Sequence, residues 1–313
     1  MARFPSNPFS EPNGLSPYVG ISTFAGYPFW QPKVKADAVI LGVPYDEGVS
    51  NKPGTRFGPR SVRDASRLYT YEERADRYYD SDRRKWILTD KIIADAGDVE
   101  IEPLCLEQNH CAMTQAVESI LAVGAVPAVI GGDHSVTYPV LKAFSGRKLH
   151  YVHFDTHVDC DRIFASPYTH GSPVARILED GLAETITIIG VRGLTNSGHD
   201  VEWIQQQGVR VITSREWRAG DPAELAKGFA EGDYYVSLDI DVFDPSAAPG
   251  TGTPEPGGIF FPEFSDLLQQ IGKRGQIIGC DVMEVNPYLD VQGSITSHLA
   301  ARCMLELLSA ALD

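Results

Sequence analysis

The run Leu149-His150-Tyr151-Val152-His153-Phe154, followed by Asp155-Thr156-His157-Val158-Asp159-Cys160-Asp161, decides how this chain is organised. The first six residues form an apolar run of strand length. Asp155, His157 and Asp159 then alternate, and in an extended backbone alternate side chains share a face. The strand end therefore presents oxygen, nitrogen and oxygen donors on one side. Such donors repel one another unless a cation lies between them, and carboxylate with imidazole suits a hard or borderline divalent metal. A solvated polar loop after a strand is the competing reading of this stretch taken alone.

The same alternation of buried strand and amphipathic helix extends in both directions. Strands are read at 38–43, 92–96, 126–130, 186–190, 209–212, 234–238 and 277–280. Helices are read at 59–68, 104–123, from about Thr137, and at 172–179, 201–207, 222–230, 261–271 and 295–312. Apolar strands separated by helices specify an α/β chain: a three-layer αβα sandwich with a mostly parallel sheet. Residues 1–36 read as a proline-rich N-terminal arm. Its aromatics (Tyr18, Phe24, Tyr27, Phe29, Trp30) are expected to pack on the body or on a neighbouring subunit. Residues 37–313 read as a single domain, and 70–90 as a long charged and aromatic surface excursion that could shape a site.

Composition narrows the function. There are 42 acidic against 27 basic residues, a formal charge of −15. This argues against nucleic acid, which calls for a basic face. It suits bound cations or a small cationic substrate, or simply solubility. Cys105, Cys111, Cys160, Cys280 and Cys303 show no paired spacing, which points to reduced thiols and a cytoplasmic setting. Residues 1–12 show neither a signal-peptide apolar core nor a basic amphipathic pattern. No apolar run reads as a membrane span.

In an open α/β sheet, ligands bind at the carboxyl ends of the strands. Three strand ends carry chemistry here: His134 after 126–130, Asp155, His157 and Asp159 after 149–154, and Asp239 and Asp241 after 234–238. Six such donors exceed what one catalytic metal with an open position needs. They suit two metals sharing bridging carboxylates.

At these residues the sequence resembles a known family. Gly131-Gly132-Asp133-His134-Ser135, Asp155-x-His157-x-Asp159 and Ser237-Leu238-Asp239-Ile240-Asp241-x-x-Asp244-Pro245 are similar to the three signatures of the ureohydrolases (arginase, agmatinase and related amidinohydrolases). Residues 54–59, 249–258 and 281–287 resemble further family segments in matching order. The likeness is to the agmatinase and guanidinobutyrase branch. It implies an arginase-like fold with 37–313 as the catalytic domain, and two divalent ions, manganese or alternatively nickel. One metal would take His134, Asp155, Asp159 and Asp239; the other His157, Asp155, Asp239 and Asp241. A bridging hydroxide would attack the guanidinium carbon of a small cationic, agmatine-like substrate and release urea plus an amine. His170, in Tyr168-Thr169-His170-Gly171-Ser172, would be a proton shuttle or substrate contact, and Glu284 the guanidinium partner. Asp159 would serve as both metal ligand and catalytic residue. A trimer or hexamer is also implied.

Without the resemblance, His170 reads as a surface loop residue and Glu284 as a cap or ion-pair residue. Asp133 and Asp244 are expected to orient ligands. His150, His153, His199 and His298 lack companions at ligand spacing, with His153 placed to support a ligand. Thr156, Val158, Ser172 and Ala25-Gly26-Tyr27 depart from the family pattern and leave the substrate open. A hydrolase of guanidine or of a biguanide such as metformin, with nickel, is one alternative; a non-catalytic subunit is another. For the remote end of the substrate, Glu72, Glu73, Arg74, Asp76, Arg77 and Tyr78 offer both signs of charge.

Overall fold

Eight of the strands in the computed structural model lie side by side and parallel; the model describes residues 20–70, 77–162 and 166–313. In chain order the strands are β1 (Ala38–Gly42), β2 (Tyr78–Asp80), β3 (Lys85–Ile87), β4 (Ile93–Asp98), β5 (Val126–Ile130), β6 (His150–Phe154), β7 (Thr185–Val191), β8 (Arg210–Thr213), β9 (Tyr234–Asp239) and β10 (Ile277–Met283). The helices are α1 (Gly58–Ser66), α2 (Leu106–Leu121), α3 (Thr137–Lys142), α4 (Pro173–Glu179), α5 (Gly198–Gln206), α6 (Ser214–Ala219), α7 (Pro222–Ala226), α8 (Phe261–Gly272) and α9 (Ile295–Leu312). The sheet order is β4-β1-β5-β10-β9-β6-β7-β8.

Period-two side-chain direction builds the three layers. Along β1, Ala38 and Ile40 enter one core with residues of α1, α8 and α9, while Val39 and Leu41 enter the other with α2 and α3. Both faces are covered, so β1 and β5 are apolar throughout, and the polar residues of the central strands, such as His153, Ser237 and Asp281, are buried. The late strands β9 and β10 insert between β5 and β6. Four strand ends from distant parts of the sequence thereby meet at the centre of one sheet edge.

Several boundaries differ from the sequence reading. The excursion at 70–90 contains a small antiparallel hairpin, β2 paired with β3, closed by Asp80, which accepts from the backbone of Asp82 and Arg83. Helix α6 was not anticipated; it is short and begins in a capping box formed by Thr213 and Glu216. Helix α7 is shorter than expected. Of the arm, Phe24, Ala25 and Tyr27 are core residues of the same chain, fixed by Phe24 N–H to Asp95 and Ala25 N–H to Ser66 Oγ. Ile21, Phe29 and Val34 are exposed. Tyr18 and the earlier prolines lie outside the described residues. Helix α9 is long and apolar enough to cross a membrane, contrary to the sequence reading, but 61% of it is buried in the body of the protein.

Candidate metal centre and active site

Three of the four central strand ends, those of β5, β6 and β9, bring His134, Asp155, His157, Asp159, Asp239 and Asp241 together, and the fourth, β10, leads to Glu284. Around His134 Nδ1 stand Asp239 Oδ2 at 2.9 Å, Asp155 Oδ2 at 3.2 Å and Asp159 Oδ2 at 3.4 Å. Around His157 Nδ1 stand Asp241 Oδ2 at 3.1 Å and Asp155 Oδ1 at 3.4 Å. The donors thus fall into two groups that share Asp155, one oxygen in each.

The turn after each strand is built to aim these groups. Asp239 caps the turn Ile240–Val242 by accepting from Asp241 N–H at 2.8 Å. Asp155 likewise accepts from His157 N–H at 2.5 Å. Thr156 donates its hydroxyl to the Asp241 carbonyl at 2.8 Å and so ties the second and third motifs together. Asp159 and Glu284 hold positive φ, 43° and 64°, conformations that cost a non-glycine residue energy and persist where surroundings impose them.

Hydrogen bonding decides which face of His134 is available. Ser237 Oγ donates to Asp281 Oδ1 at 2.6 Å, so it accepts from His134 Nε2–H at 2.8 Å. The Nδ1 lone pair then faces the carboxylates, as a ligating imidazole requires. Asp281 also accepts from Tyr235 OH at 2.7 Å and Thr137 Oγ1 at 3.0 Å. His153 is fully buried; Tyr151 OH lies 2.7 Å from its Nδ1, and its Nε2 lies 2.9 Å from Asp155 Oδ2. It supports the ligand set, as its position in sequence allowed.

The donor chemistry fits divalent cations. Asp155 Oδ2 makes no aligned hydrogen bond although ring nitrogens approach it from two sides. Burial, then the neighbouring carboxylates, push Asp159 and Asp239 well above the ordinary carboxylate range. Burial opposes charge on His134, yet Asp155, Asp239 and Asp159 outweigh it and raise its pKa. Without cations, then, protons must neutralise this cluster, and cations can take their place.

His170 and Glu284 are joined at the same site. Glu284 Oε1 accepts from His134 N–H and pairs with His170 Nδ1, each at 3.0 Å. His170 Nε2 lies 2.7 Å from Ser50 Oγ. Burial disfavours the charged ring, but Glu284, Asp133 and Asp159 outweigh burial and lift its pKa to about 9. Glu284 Oε2 is buried without a hydrogen-bond partner. Glu284, His170, His157, Asp159 and Asp239 line one cavity of about 410 Å³, with Ser50, Asn51, Asp161, Asn196 and Asp200 among its other walls.

Some expectations need correction. Asp133 acts on the backbone: it caps the turn His134–Val136 that carries the candidate ligand His134. It accepts from Gly48 N–H at 2.8 Å and from the Ser135 N–H and hydroxyl, fixing the loop whose Gly48 carbonyl holds His170 N–H at 3.0 Å. Asp244 accepts from Ser246, Gly257 and Gly258 and closes the 244–258 loop, away from the ligands. Arg77 and Tyr78 line a separate cavity with Tyr69, Ile87 and Arg302, and Glu72, Glu73, Arg74 and Asp76 lie outside the described residues. His150 bonds Thr185, not the site. Sequence reading also missed the end of β7. There Arg192 donates to the carbonyls of Asp241, Val242, Phe243 and Glu255, and Asn196 pins Val158 N–H and the Thr156 carbonyl. Buried loop carbonyls need such donors, but neither residue stands in a motif.

Comparison with known proteins gives the same picture. The arginase family model matches residues 36–309. A guanidinopropionase of Pseudomonas aeruginosa is 37% identical, over 93% of this chain and 92% of its own. A mitochondrial agmatinase of Gallus gallus is 34% identical, over 93% and 85%. The solved proclavaminate amidino hydrolase of Streptomyces clavuligerus superposes with a TM-score of 0.84 at 33% identity, over 94% of this chain and 98% of that one. With the central sheet, the shared-carboxylate donor set and these matches in agreement, this chain belongs to the arginase family.

Proposed function

We propose that this enzyme, an arginase-family hydrolase, cleaves a small guanidino compound to urea and an amine with the help of two divalent cations. The observation that carries the reading is the division of donors into two groups sharing Asp155, beside a cavity into which Glu284 presents an unpaired oxygen. His134, Asp155, Asp159 and Asp239 would hold one cation, and His157, Asp155, Asp239 and Asp241 the other. When bound, the two cations, manganese or alternatively nickel, lower the pKa of a shared water and so supply a nucleophile near neutral pH.

The chain's own residues do the rest. Glu284 Oε2 accepts from the guanidinium N–H groups, a charge-assisted contact strengthened by burial. Its other oxygen is already committed to His134 N–H and His170, so the carboxylate cannot swing away. His170 holds a proton at Nδ1 toward Glu284 Oε1, while its Nε2 accepts from Ser50 N–H beside the Ser50 hydroxyl, a position from which the ring can exchange a proton with the leaving amine. The oxygen of water bonds to the guanidinium carbon, the bond from that carbon to the substituted nitrogen breaks, and both protons of the water end on the departing amine, which leaves as an ammonium beside neutral urea. The complete donor set supports catalysis over a non-catalytic subunit. We further take 1–36 as an arm on a single catalytic domain, 37–313, and a trimer or hexamer as the assembly, in the cytoplasm. The five cysteines, all free thiols, support a reducing setting.

The test is to load the protein with Mn²⁺ or Ni²⁺, count bound metal by mass spectrometry, and assay urea and released amine on agmatine, guanidinobutyrate, guanidinopropionate, arginine and guanidine. Two metals per chain and urea release are expected, with metal and turnover lost in Asp159→Ala and Asp241→Ala. Full metal content and rate in both variants would sink the assignment, and light scattering checks the assembly.

A further inference from the structure

We propose that Ser50 is a further catalytic residue: its hydroxyl stands between His170 and the cavity and hands on the proton that the departing nitrogen receives. The inference rests on the hydrolase reading above and names the last carrier on its proton path. Ser50 belongs to none of the motifs that build the candidate metal centre. Its Oγ lies 2.7 Å from His170 Nε2, and its N–H points at the same nitrogen at 3.2 Å. Both residues line the cavity beside Glu284, but they differ in access. His170 is 8% exposed, whereas Ser50 is an exposed residue. The hydroxyl is therefore the outer member of the chain that runs from Glu284 through His170 to Ser50.

Glu284 Oε1, 3.0 Å from Nδ1, accepts from Nδ1–H whether the ring is neutral or charged, so the exchangeable proton is the one at Nε2. In the charged ring Nε2–H donates to Ser50 Oγ, and the hydroxyl proton turns toward the cavity. The Ser50 N–H, aimed at Nε2, disfavours a proton there and so drives it outward. As the bond from the guanidinium carbon to the departing nitrogen breaks, its electron pair stays on that nitrogen, which bonds the Ser50 hydroxyl proton. Ser50 Oγ takes the Nε2 proton, and His170 is left neutral. The proton shed by the next nucleophilic water restores the ring. The loop is held for this by Gly48 N–H to Asp133 at 2.8 Å, His170 N–H to the Gly48 carbonyl at 3.0 Å, and Asn51 Nδ2 to the Gly252 carbonyl at 2.9 Å. Fixing the ring needs only the Ser50 N–H, which a substitution retains, so the hydroxyl can be tested by itself.

The experiment compares Ser50→Thr with Ser50→Val in the full Mn²⁺-loaded chain, since these two side chains share a shape and differ in the hydroxyl. Urea release from agmatine, guanidinobutyrate and guanidinopropionate is measured in H₂O and D₂O, with bound metal and melting temperature alongside. Ser50→Thr should keep kcat within about threefold of wild type, and Ser50→Val should lose roughly 100-fold or more, the scale of general acid catalysis. KM, bound metal and melting should match between the two. The solvent isotope effect on kcat should rise in Ser50→Val, where proton delivery limits the rate, and keep its wild-type value in Ser50→Thr. Ser50→Ala, which adds no bulk, should lose roughly tenfold or more in kcat. Equal kcat in Ser50→Thr and Ser50→Val, a loss confined to KM, or the wild-type rate in Ser50→Ala overturns the proposal while leaving the hydrolase reading intact. Absence of urea from all three substrates with the wild-type chain overturns both.

Discussion

Replacing Asp281 by Asn tests how His134 is presented. Asp281 is fully buried on β10 and accepts from Ser237 Oγ, Tyr235 OH and Thr137 Oγ1. An asparagine keeps the shape but turns one acceptor oxygen into a donor. If the amide nitrogen faces Tyr235 and Thr137, their hydroxyl protons lose their acceptor. If it faces Ser237, the serine proton turns toward His134 Nε2, and the imidazole proton must move to Nδ1, where it blocks a cation. A hydrogen bond to a charged acceptor contributes about 1.5–3 kcal/mol. Part of that loss is offset because burial already penalises the Asp281 charge and raises its pKa. The net destabilisation should be about 1–3 kcal/mol. Metal affinity should fall roughly 10- to 100-fold, as when the partner of a ligating histidine is removed. Calorimetric metal titration gives the affinity, and melting with and without metal separates it from folding. A folded variant that binds metal within about twofold of wild type, well under 1 kcal/mol, would show that the Ser237–Asp281 pair does not set the His134 tautomer.

Other perturbations reach the site and the fold separately. Glu284→Gln keeps the side-chain length but removes the charge proposed to meet the guanidinium; kcat/KM should drop roughly 10- to 100-fold, and unchanged steady-state kinetics would count against the contact. Arg192→Lys cannot reach the carbonyls of Asp241, Val242 and Glu255 together; a loss of about 1–3 kcal/mol in denaturant unfolding is expected. Glu306 is buried, which opposes its charge, but Arg83 and Arg302 outweigh burial and hold its pKa below the ordinary value; Asp80, beside the same arginines, is lowered as well. Depressed carboxylate pKa values mean that the unfolded chain takes up protons first on acidification. The stabilisation is therefore present above the ordinary carboxylate range and lost as pH falls through it. Glu306→Gln should flatten the melting curve's dependence on pH below about 5.

The sheet and the six donors were legible because both obey short-range rules. Continuous apolar runs of strand length flanked by glycine, such as 126–130 between Gly124 and Gly131, read as strands buried on two faces, and alternating Asp155, His157 and Asp159 share a face by the geometry of an extended chain. The helices that were misjudged are short ones. Helix α6 has six residues and no repeat of its apolar period, so its one signal was the capping pair Thr213 and Glu216. Ser237, Asp281, Arg192 and Asn196 were illegible as site residues for another reason. Their partners are backbone groups or side chains on other strands, with sequence separations of 38 to 103 residues between, for example, Asn196 and Val158 or Ser237 and His134. Of the candidates for the remote end of the substrate, Arg77 and Tyr78 line a separate cavity, because the wall of the cavity beside Glu284 is set by which loops the strand order brings to the centre.

That strand order also explains why the strained residues are where they are. Glu284 follows β10, the strand flanked by β5 and β9. Continuing in the extended direction would carry its side chain past the sheet edge. A left-handed turn at φ 64° instead directs the carboxylate back to His134 N–H and His170, and its own N–H is held by the Gly132 carbonyl at 2.9 Å. Asp159 makes the corresponding turn at φ 43° after the β6 motif, its carbonyl held by Val174 N–H at 3.0 Å. Each such turn costs on the order of 1–3 kcal/mol, and glycine would adopt either at lower cost. Glycine, however, carries no carboxylate, and both positions are ones where a carboxylate must face the cavity. Strain at Asp159 and Glu284, and its absence at the strand-borne Asp239, is what a fold of fixed strand directions requires when ligands must converge from several strands on one point.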